Sequence, residues 1–535
     1  MQPPFPPAPS QPPMSPISGQ QPRQAPSRRL SRRQVLIGAG ALGLVGLATG
    51  AVAVLRRSYL LPELAPQATQ QVSQTLRYVS VGRDADWWIY AFKPDTGAIV
   101  WRRKMAQNPP PLDLEAPVVA GETVIAHSIT SSGSDEGPLM GLDPQTGAIK
   151  WQTTADAVVT ISMYGSLGEF PAFAGDTVFI IDQTRHTLVA LRAGDGHRLW
   201  SQDVGNLTLV GVTIDQNTLY VSTTANGLVA VRISDGVALW RFNPPNAQSP
   251  SGYDETVWQR QIGQGVVYTL ITEGDTRSML YALREADGSQ LWARQLPGVV
   301  APSNTIAGDS PFEIVDGIAT LDDALYLQTE NDQYVSGTLT INSYTLTALA
   351  ISDGQPLWSY HNSEGITLLG SSPGAIYMMI GTIQQDPSAG ALSSTILALR
   401  SGDGSLLWNQ TLPDGIDNNE AIVVGDTLYL GKYVAQGTQN ADGSFSYFAG
   451  VYALRGTDGT ILWRTKIEES QLNPENSSSD FLSYLAFDED NGTVYQCHAG
   501  VYAFRASDGE LLWKLQDTQS PGSAPEQFGP IGIPS

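Results

Sequence analysis

The chain has 535 residues, with 30 Lys and Arg against 52 Asp and Glu and a formal net charge of -22. So acidic a chain is a poor partner for nucleic acid, which demands concentrated positive charge. A single cysteine, Cys497, excludes an intrachain disulfide framework, a CxxC redox or zinc motif and a CxxCH haem site, while 12 Trp and 53 Gly with few charges point to a β-rich repeat protein.

Residues 1–34 read as a disordered, Pro-rich, basic cytoplasmic segment: the first 27 hold ten prolines and no acid. The next 21 residues, Val35 to Leu55, are uncharged and apolar, which predicts a hydrophobic helix long enough to cross a bilayer. Arg23, Arg28, Arg29, Arg32 and Arg33 precede this run, and Arg56 and Arg57 follow it. The positive-inside rule then keeps the N-terminus in the cytoplasm and exports the bulk of the chain. Ser31-Arg32-Arg33-Gln34-Val35-Leu36 resembles a bacterial twin-arginine export signal, with Ile37 where Lys is usual. Residues 35–55 are either an uncleaved signal anchor or an export signal cleaved near Ala51-Val52-Ala53. No cysteine lies near the run, so a lipobox is excluded. Residues 56–74 read as a linker. Beyond residue 60 stand 23 basic and 52 acidic residues, so the exported part carries -29, which favours solubility and disfavours adhesion to anionic lipid.

From residue 75 onward one pattern recurs nine times, about fifty residues apart. VYALRGTDGTILW and VYAFRASDGELLW are two copies. Each ends on a tryptophan: Trp101, Trp151, Trp200, Trp240, Trp292, Trp358, Trp408, Trp463 and Trp513. Four residues before each tryptophan is a turn glycine: Gly97, Gly147, Gly196, Gly236, Gly288, Gly354, Gly404, Gly459 and Gly509. Six residues before the glycine stands Ala in eight copies and Gly141 in the other. The alternating run before the turn is a half-buried strand, Asp-Gly or Thr-Gly makes the turn, and the tryptophan lies on a returning strand. Two further strand signals separate successive copies, as in APVVAGETVIAHS. About four antiparallel strands per fifty residues make a propeller blade. The fold class predicted is therefore all-β: a single propeller of eight or nine four-stranded blades over residues 75–535, preceded by one N-terminal hydrophobic helix. The tryptophans pack between blades against the small residues, a structural role.

The first copy, preceded by RYVSVG, has no clear innermost strand, and the tail Gly529-Pro530-Ile531-Gly532-Ile533 reads as one. The tail is expected to close the ring and leave no free sheet edge at the seam. Four residues before the turn glycine stands a basic residue in seven copies: Lys93, Arg192, Arg232, Arg284, Arg400, Arg455 and Arg505. These form either solvated salt bridges with the turn aspartates or a basic ring for an anionic partner.

The repeat resembles the tryptophan-docking motif of quinoprotein-type, PQQ-like propellers, A-x-D-x-x-T-G-x-x-x-W, most closely from Gly141 through Asp143, Thr146 and Gly147 to Trp151. The resemblance covers roughly residues 75 to 520. It implies either a quinoprotein dehydrogenase, with PQQ, calcium and a disulfide between adjacent cysteines, or a non-catalytic outer-membrane assembly propeller. One cysteine cannot form that disulfide, which favours the non-catalytic branch. No cofactor is expected on this reading, although PQQ and calcium belong to the alternative.

Other chemistry is sparse. His127, His186, His197, His361 and His498 show no ligand spacing. Cys497 and His498, adjacent on a strand, point to opposite faces and make a poor dyad. Asp488-Glu489-Asp490-Asn491-Gly492 reads as a hairpin turn, with calcium binding as the sharper alternative. The inserted hairpin Gln328 to Tyr344 and the loop Ala435 to Ser446 are the candidate contact surfaces. The expected function is a membrane-tethered, non-catalytic scaffold or ligand-binding module lying outside the cytoplasm. Its partner would be an envelope protein or extracellular ligand. The alternatives are a PQQ-dependent oxidoreductase and an enzyme acting on extracellular polysaccharide.

Overall fold

The computed structural model describes residues 75–83, 86–107, 116–126, 139–153, 172–182, 187–203, 209–223, 227–244, 258–273, 277–296, 318–321, 324–335, 338–363, 365–380, 394–412, 421–433, 438–439, 445–469, 484–497, 500–515 and 527–533. The expected N-terminal helix and linker lie outside these residues. Among the described residues no helix is long and apolar enough to cross a membrane.

Nine antiparallel sheets follow one another along the chain, so the eight-or-nine ambiguity resolves to nine blades. Blade 5 is typical, with strands Trp258–Gly263, Val266–Glu273, Arg277–Arg284 and Gln290–Gln295 paired in sequence order. Blade 8 adds a short fifth strand, Thr438–Gln439, beside Phe445–Arg455. First strands of successive blades touch one another, which puts them innermost around the axis and the tryptophan strands outermost.

Blade 1 is built from both ends of the propeller. Arg77–Arg83, Asp86–Phe92 and Ile99–Gln107 come from its start, and the innermost strand is Gln527–Gly532. Tyr78 stands opposite Gly532, and Gly82 opposite Gln527. The tail thus supplies the strand that RYVSVG lacked. Phe528 and Ile531 are buried against Val79, Val81 and Tyr90.

The core lies between blades rather than within them. One apolar layer joins blades 9 and 1, another blades 1 and 2, and so on around the ring. Third strands such as Val501–Arg505 are buried along nearly their whole length, because both faces of a middle strand meet neighbouring blades.

Every seam repeats one contact. The motif glycines have φ between 67° and 75°. Each glycine N–H donates to the carbonyl four residues back, at 2.8–2.9 Å. A Cβ there would lie 2.4–2.8 Å from the indole of the preceding blade's tryptophan, from Trp101 over Gly147 round to Trp513 over Gly97. Positive φ and this close approach both demand glycine. Each indole N–H donates across the seam to a turn carbonyl, at 2.9 Å from Trp101 to Pro144, 2.7 Å from Trp408 to Gly456 and 2.9 Å from Trp513 to Pro94. The small residue of the repeat sits directly opposite the tryptophan in its own blade, as Ala230 opposite Trp240.

Candidate functional site

Strand pairing gives the ring two unlike faces. Connections between first and second strands, and between third and fourth, lie on one face and are two to six residues long. Connections between second and third strands, and from one blade to the next, start and end on the other and reach 22 residues. The first is the tight-turn face and the second the loop face. Both ends of the propeller chain, at Thr75 and Ile533, leave from the tight-turn face, because Tyr78 pairs with Gly532 at that end of blade 1.

Two insertions mark the loop face. In blade 6, Ala324–Val335 and Thr338–Ala350 stay paired out to Val335 opposite Thr338. Their neighbours stop earlier: the inner strand ends at Ile318 opposite Leu327, and the outer one at Asn362 opposite Tyr344. The hairpin expected at 328–344 therefore projects beyond its blade. In blade 8, Thr438–Gln439 folds back on Phe445–Ser446 within the expected loop, whose remaining residues 435–437 and 440–444 lie outside the described ones.

The tight turns are chemically self-contained. Arg192, Arg232, Arg284, Arg400, Arg455 and Arg505 each pair with the aspartate three residues on, at 2.8–3.8 Å. The same aspartates accept the backbone N–H two residues on, as Asp195 from His197 at 3.0 Å. That N–H first, and Arg192 second, hold the Asp195 carboxyl below its usual range. In blade 2, Asp143 takes the place of the arginine and accepts from the Thr146 hydroxyl at 2.8 Å, which lowers its pKa. Thr96 and Thr146 accept from Ala98 and Ala148 where the other copies use Asp, so Thr-Gly and Asp-Gly turns present an oxygen at one position. Six of the seven basic positions thus sit in salt bridges with the turn aspartates rather than in a free cationic ring.

The seam between blades 9 and 1 is different. Arg77 grips Asp488 with two bonds of 2.8 Å, and both side chains are essentially inaccessible to water, at 1% and 0%. Asn491 and Tyr495 also donate to Asp488, at 2.9 and 3.3 Å. Burial opposes ionisation of Asp488, but the Arg77 and Asn491 bonds outweigh it and hold the carboxyl below its usual range. Asp488-Gly492 is the connection between the strands Tyr484–Asp488 and Thr493–Cys497, hence a hairpin turn. Its donor set does not fit calcium, because a guanidinium already occupies the carboxylate that would bind the ion. Among the described residues, no three His, Cys, Asp or Glu side chains gather at metal-binding distance.

Cys497 is buried in the layer between blades 9 and 1. His498, His127 and His186 lie outside the described residues. A cleft of about 250 Å³ opens between blades 2 and 3, lined by Trp151, Ile180, Val189, Asp182, Asp195 and Arg198 among others.

One row of residues is not part of the sequence pattern above. Opposite the small residue in eight of the nine blades, on the second strand, stands an aromatic ring that meets the tryptophan. Tyr78, Phe179, Tyr220, Tyr268, Tyr326, Tyr377, Tyr429 and Tyr495 lie 5.7–5.9 Å from their tryptophans, centroid to centroid. Blade 2 has Ile125 there, and a Cβ on its Gly141 would lie 2.2 Å from Trp151 Nε1. The signal was an aromatic shortly after the first turn of most units, as in TLYV, TLYL and TVYQ.

A family model described as outer membrane protein assembly factor BamB matches residues 85–251, 253–442 and 431–528. No curated protein matches the chain. Among solved structures, BamB from Moraxella catarrhalis is 17% identical, with a TM-score of 0.39, over 73% of this chain and 93% of that one. Quinohemoprotein alcohol dehydrogenase ADHIIG from Pseudomonas putida HK5 is 13% identical, with a TM-score of 0.38, over 67% and 68%. The quinohemoprotein alcohol dehydrogenase from Comamonas testosteroni is 13% identical, with a TM-score of 0.40, over 66% and 67%.

Proposed function

The chain belongs to the propeller family described as outer membrane protein assembly factor BamB, and from this premise we propose that it is a non-catalytic interaction scaffold of the cell envelope. On this reading residues 35–55 anchor it in the membrane with the propeller outside the cytoplasm. The loop face, opposite the chain ends, receives an envelope protein. The observation that carries the reading is the division of labour between the faces. All connections on the tight-turn face are short and repetitive, whereas the loop face carries the long links and both insertions. Rigid scaffolds place recognition on such variable loops.

The test uses the full-length chain in its membrane, with a photo-crosslinker on the blade 6 hairpin or on the tight-turn face. A defined envelope protein captured from the hairpin position, and lost when residues 330–344 are replaced by a two-residue turn, supports the proposal. Capture that is indifferent to the hairpin refutes its role.

The second reading, a PQQ-dependent oxidoreductase, has family chemistry behind it but one cysteine against it. Purified protein is titrated with PQQ and calcium and assayed by absorbance and by dye-linked alcohol oxidation. Stoichiometric quinone binding with turnover would overturn the scaffold proposal.

A further inference from the structure

We propose that the cleft between blades 2 and 3 is a carbohydrate site that holds one neutral pyranose ring. The inference goes beyond the scaffold reading and does not depend on how the chain is anchored.

The cleft exists because one seam is underfilled. Two positions supply the filling: the residue two after a tryptophan, and the residue just before the next blade's small residue. Between blades 4 and 5 they are Phe242 and Tyr281, with ring centroids 5.2 Å apart, and between blades 9 and 1 they are Leu515 and Tyr90 in one apolar layer. Between blades 2 and 3 they are Thr153 and Val189, and both line the cleft. At each of the other eight seams at least one of the two is Arg, Met, Gln, Phe, Tyr or Leu. The outer strand of blade 2, Ile149–Gln152, is also the shortest of the nine outer strands. Interiors are close-packed, so side-chain volume missing from a rigid seam stays open. The cleft of about 250 Å³ is smaller than the roughly 300–1,000 Å³ of sites for drug-sized ligands, which suits a single ring.

Its lining is amphipathic. Trp151, Ile180, Val189 and Leu191 make an apolar wall. The Trp151 N–H donates to the Ala193 carbonyl at 2.7 Å, so the indole offers the cleft only its ring. Asp182, at the end of the second strand of blade 3, lines the cleft and is 5% exposed. It is the one acid at that position in nine blades; Thr223, Ile271 and Ile380 stand there in blades 4, 5 and 7. Other blades build their seams without it, so the fold does not require a carboxylate there. The Thr153 hydroxyl accepts from the Leu139 N–H at 3.0 Å, which leaves its own hydrogen to donate. Arg198 lines the opposite end and is exposed, whereas Asp195 beside it is already held by Arg192 and the His197 N–H.

These groups select the ligand. A cation meets Arg198 and an anion meets Asp182, so net charge of either sign is repelled at one end. A wholly apolar ring offers no hydrogen bond to the carboxylate, the hydroxyl or the guanidinium. A pyranose presents C–H groups to the electron-rich indole face, and hydroxyls that donate to Asp182 and accept from Thr153 and Arg198.

The purified full-length chain, in a detergent without a sugar headgroup, is mixed with the methyl pyranosides of glucose, galactose, mannose and N-acetylglucosamine. N-acetyltyrosinamide serves as the aromatic control. Binding is read by saturation-transfer NMR of the ligand, and affinity by titration. At least one glycoside is expected to bind. Val189→Tyr and Thr153→Phe fill the cleft from its two walls with the residues that blades 5 and 4 hold there, and each should abolish the signal while melting near the parent. If one filled variant fails to fold, the other carries the test. Asp182→Asn should weaken affinity about tenfold, as expected for a lost hydrogen bond to a charged group. No glycoside signal, or a signal that both filled variants keep, overturns the inference. So does binding of N-acetyltyrosinamide alone, which would assign the cleft to an aromatic side chain of a partner.

Discussion

The seam between blades 9 and 1 gives the sharpest test of how the ring is held. Asp488→Ala removes the partner of a guanidinium that is 1% exposed and bound by two 2.8 Å hydrogen bonds. Stranding one member of a buried ion pair costs about 3–5 kcal/mol. Arg77 keeps its bond to the Thr75 carbonyl and has Asp490 within 3.4 Å, so the lower end of that range is expected. One kcal/mol moves the melting point of a 150–250-residue domain by about 2–4 °C, and less for a larger ring. The expected loss is several degrees in thermal unfolding at a fixed scan rate. Arg77→Met combined with Asp488→Leu should recover much of it, because swapping a buried pair for apolar residues is often neutral. The pair also predicts a pH dependence. A carboxyl held below its usual pKa contributes stability that is present above the unfolded value, about 3.9, and lost as pH falls through the folded one. Asp488→Asn should therefore flatten the acid limb of stability. A single variant that melts like the parent, or a double variant no better than the single, would refute the reasoning.

Three further outcomes follow from the same geometry. Deleting residues 525–535 removes the innermost strand of blade 1 with buried Phe528 and Ile531, and should lower the melting temperature by several degrees; an unchanged melt defeats ring closure by the tail. Gly236→Ala meets both φ of 75° and a Cβ position 2.5 Å from Trp200, so it should destabilise by about 2 kcal/mol or more in urea titrations, whereas Gly402→Ala, with open space around its Cβ position, should be mild. Glu285→Gln should raise the melting point at neutral pH. Burial first and Asp215 second push the Glu285 pKa up, so its ionised form is disfavoured in the folded state, and the gain should vanish below about pH 4.

Much of this was legible because it is local and repeated. Each turn glycine, its small residue and its tryptophan lie within eleven residues of one another, and nine copies made the blade visible. Tail closure was legible because one unit lacked a strand. Blade number was left at eight or nine because periodicity counts turns and cannot show that every unit completes four strands. The clasp was hidden for a different reason. Arg77 and Asp488 are 411 residues apart and meet only because the ring closes. The carboxylate-rich turn was assigned its hairpin, yet its buried cation lay at the other end of the propeller. The exposure of Val100 and Leu512 was hidden too, since a bulge in each outer strand turns these apolar residues outward just before the tryptophan.

Nine seams built from one contact have a consequence for function. A propeller with more than the roughly four to eight blades usual for the fold needs each seam to turn the chain through the same small angle. Here the tryptophan, the glycine of the next turn and a transverse hydrogen bond occupy that position every time. Such seams tolerate little change, so the tight-turn face cannot readily be adapted to a particular partner. The loop face is not bound by this requirement. Its links vary from two to 22 residues, and the blade 6 hairpin extends past both neighbouring strands without disturbing a single seam contact. Both chain ends leave from the constrained face. On the proposed reading, a tether there would leave the adaptable face unobstructed, as a scaffold requires.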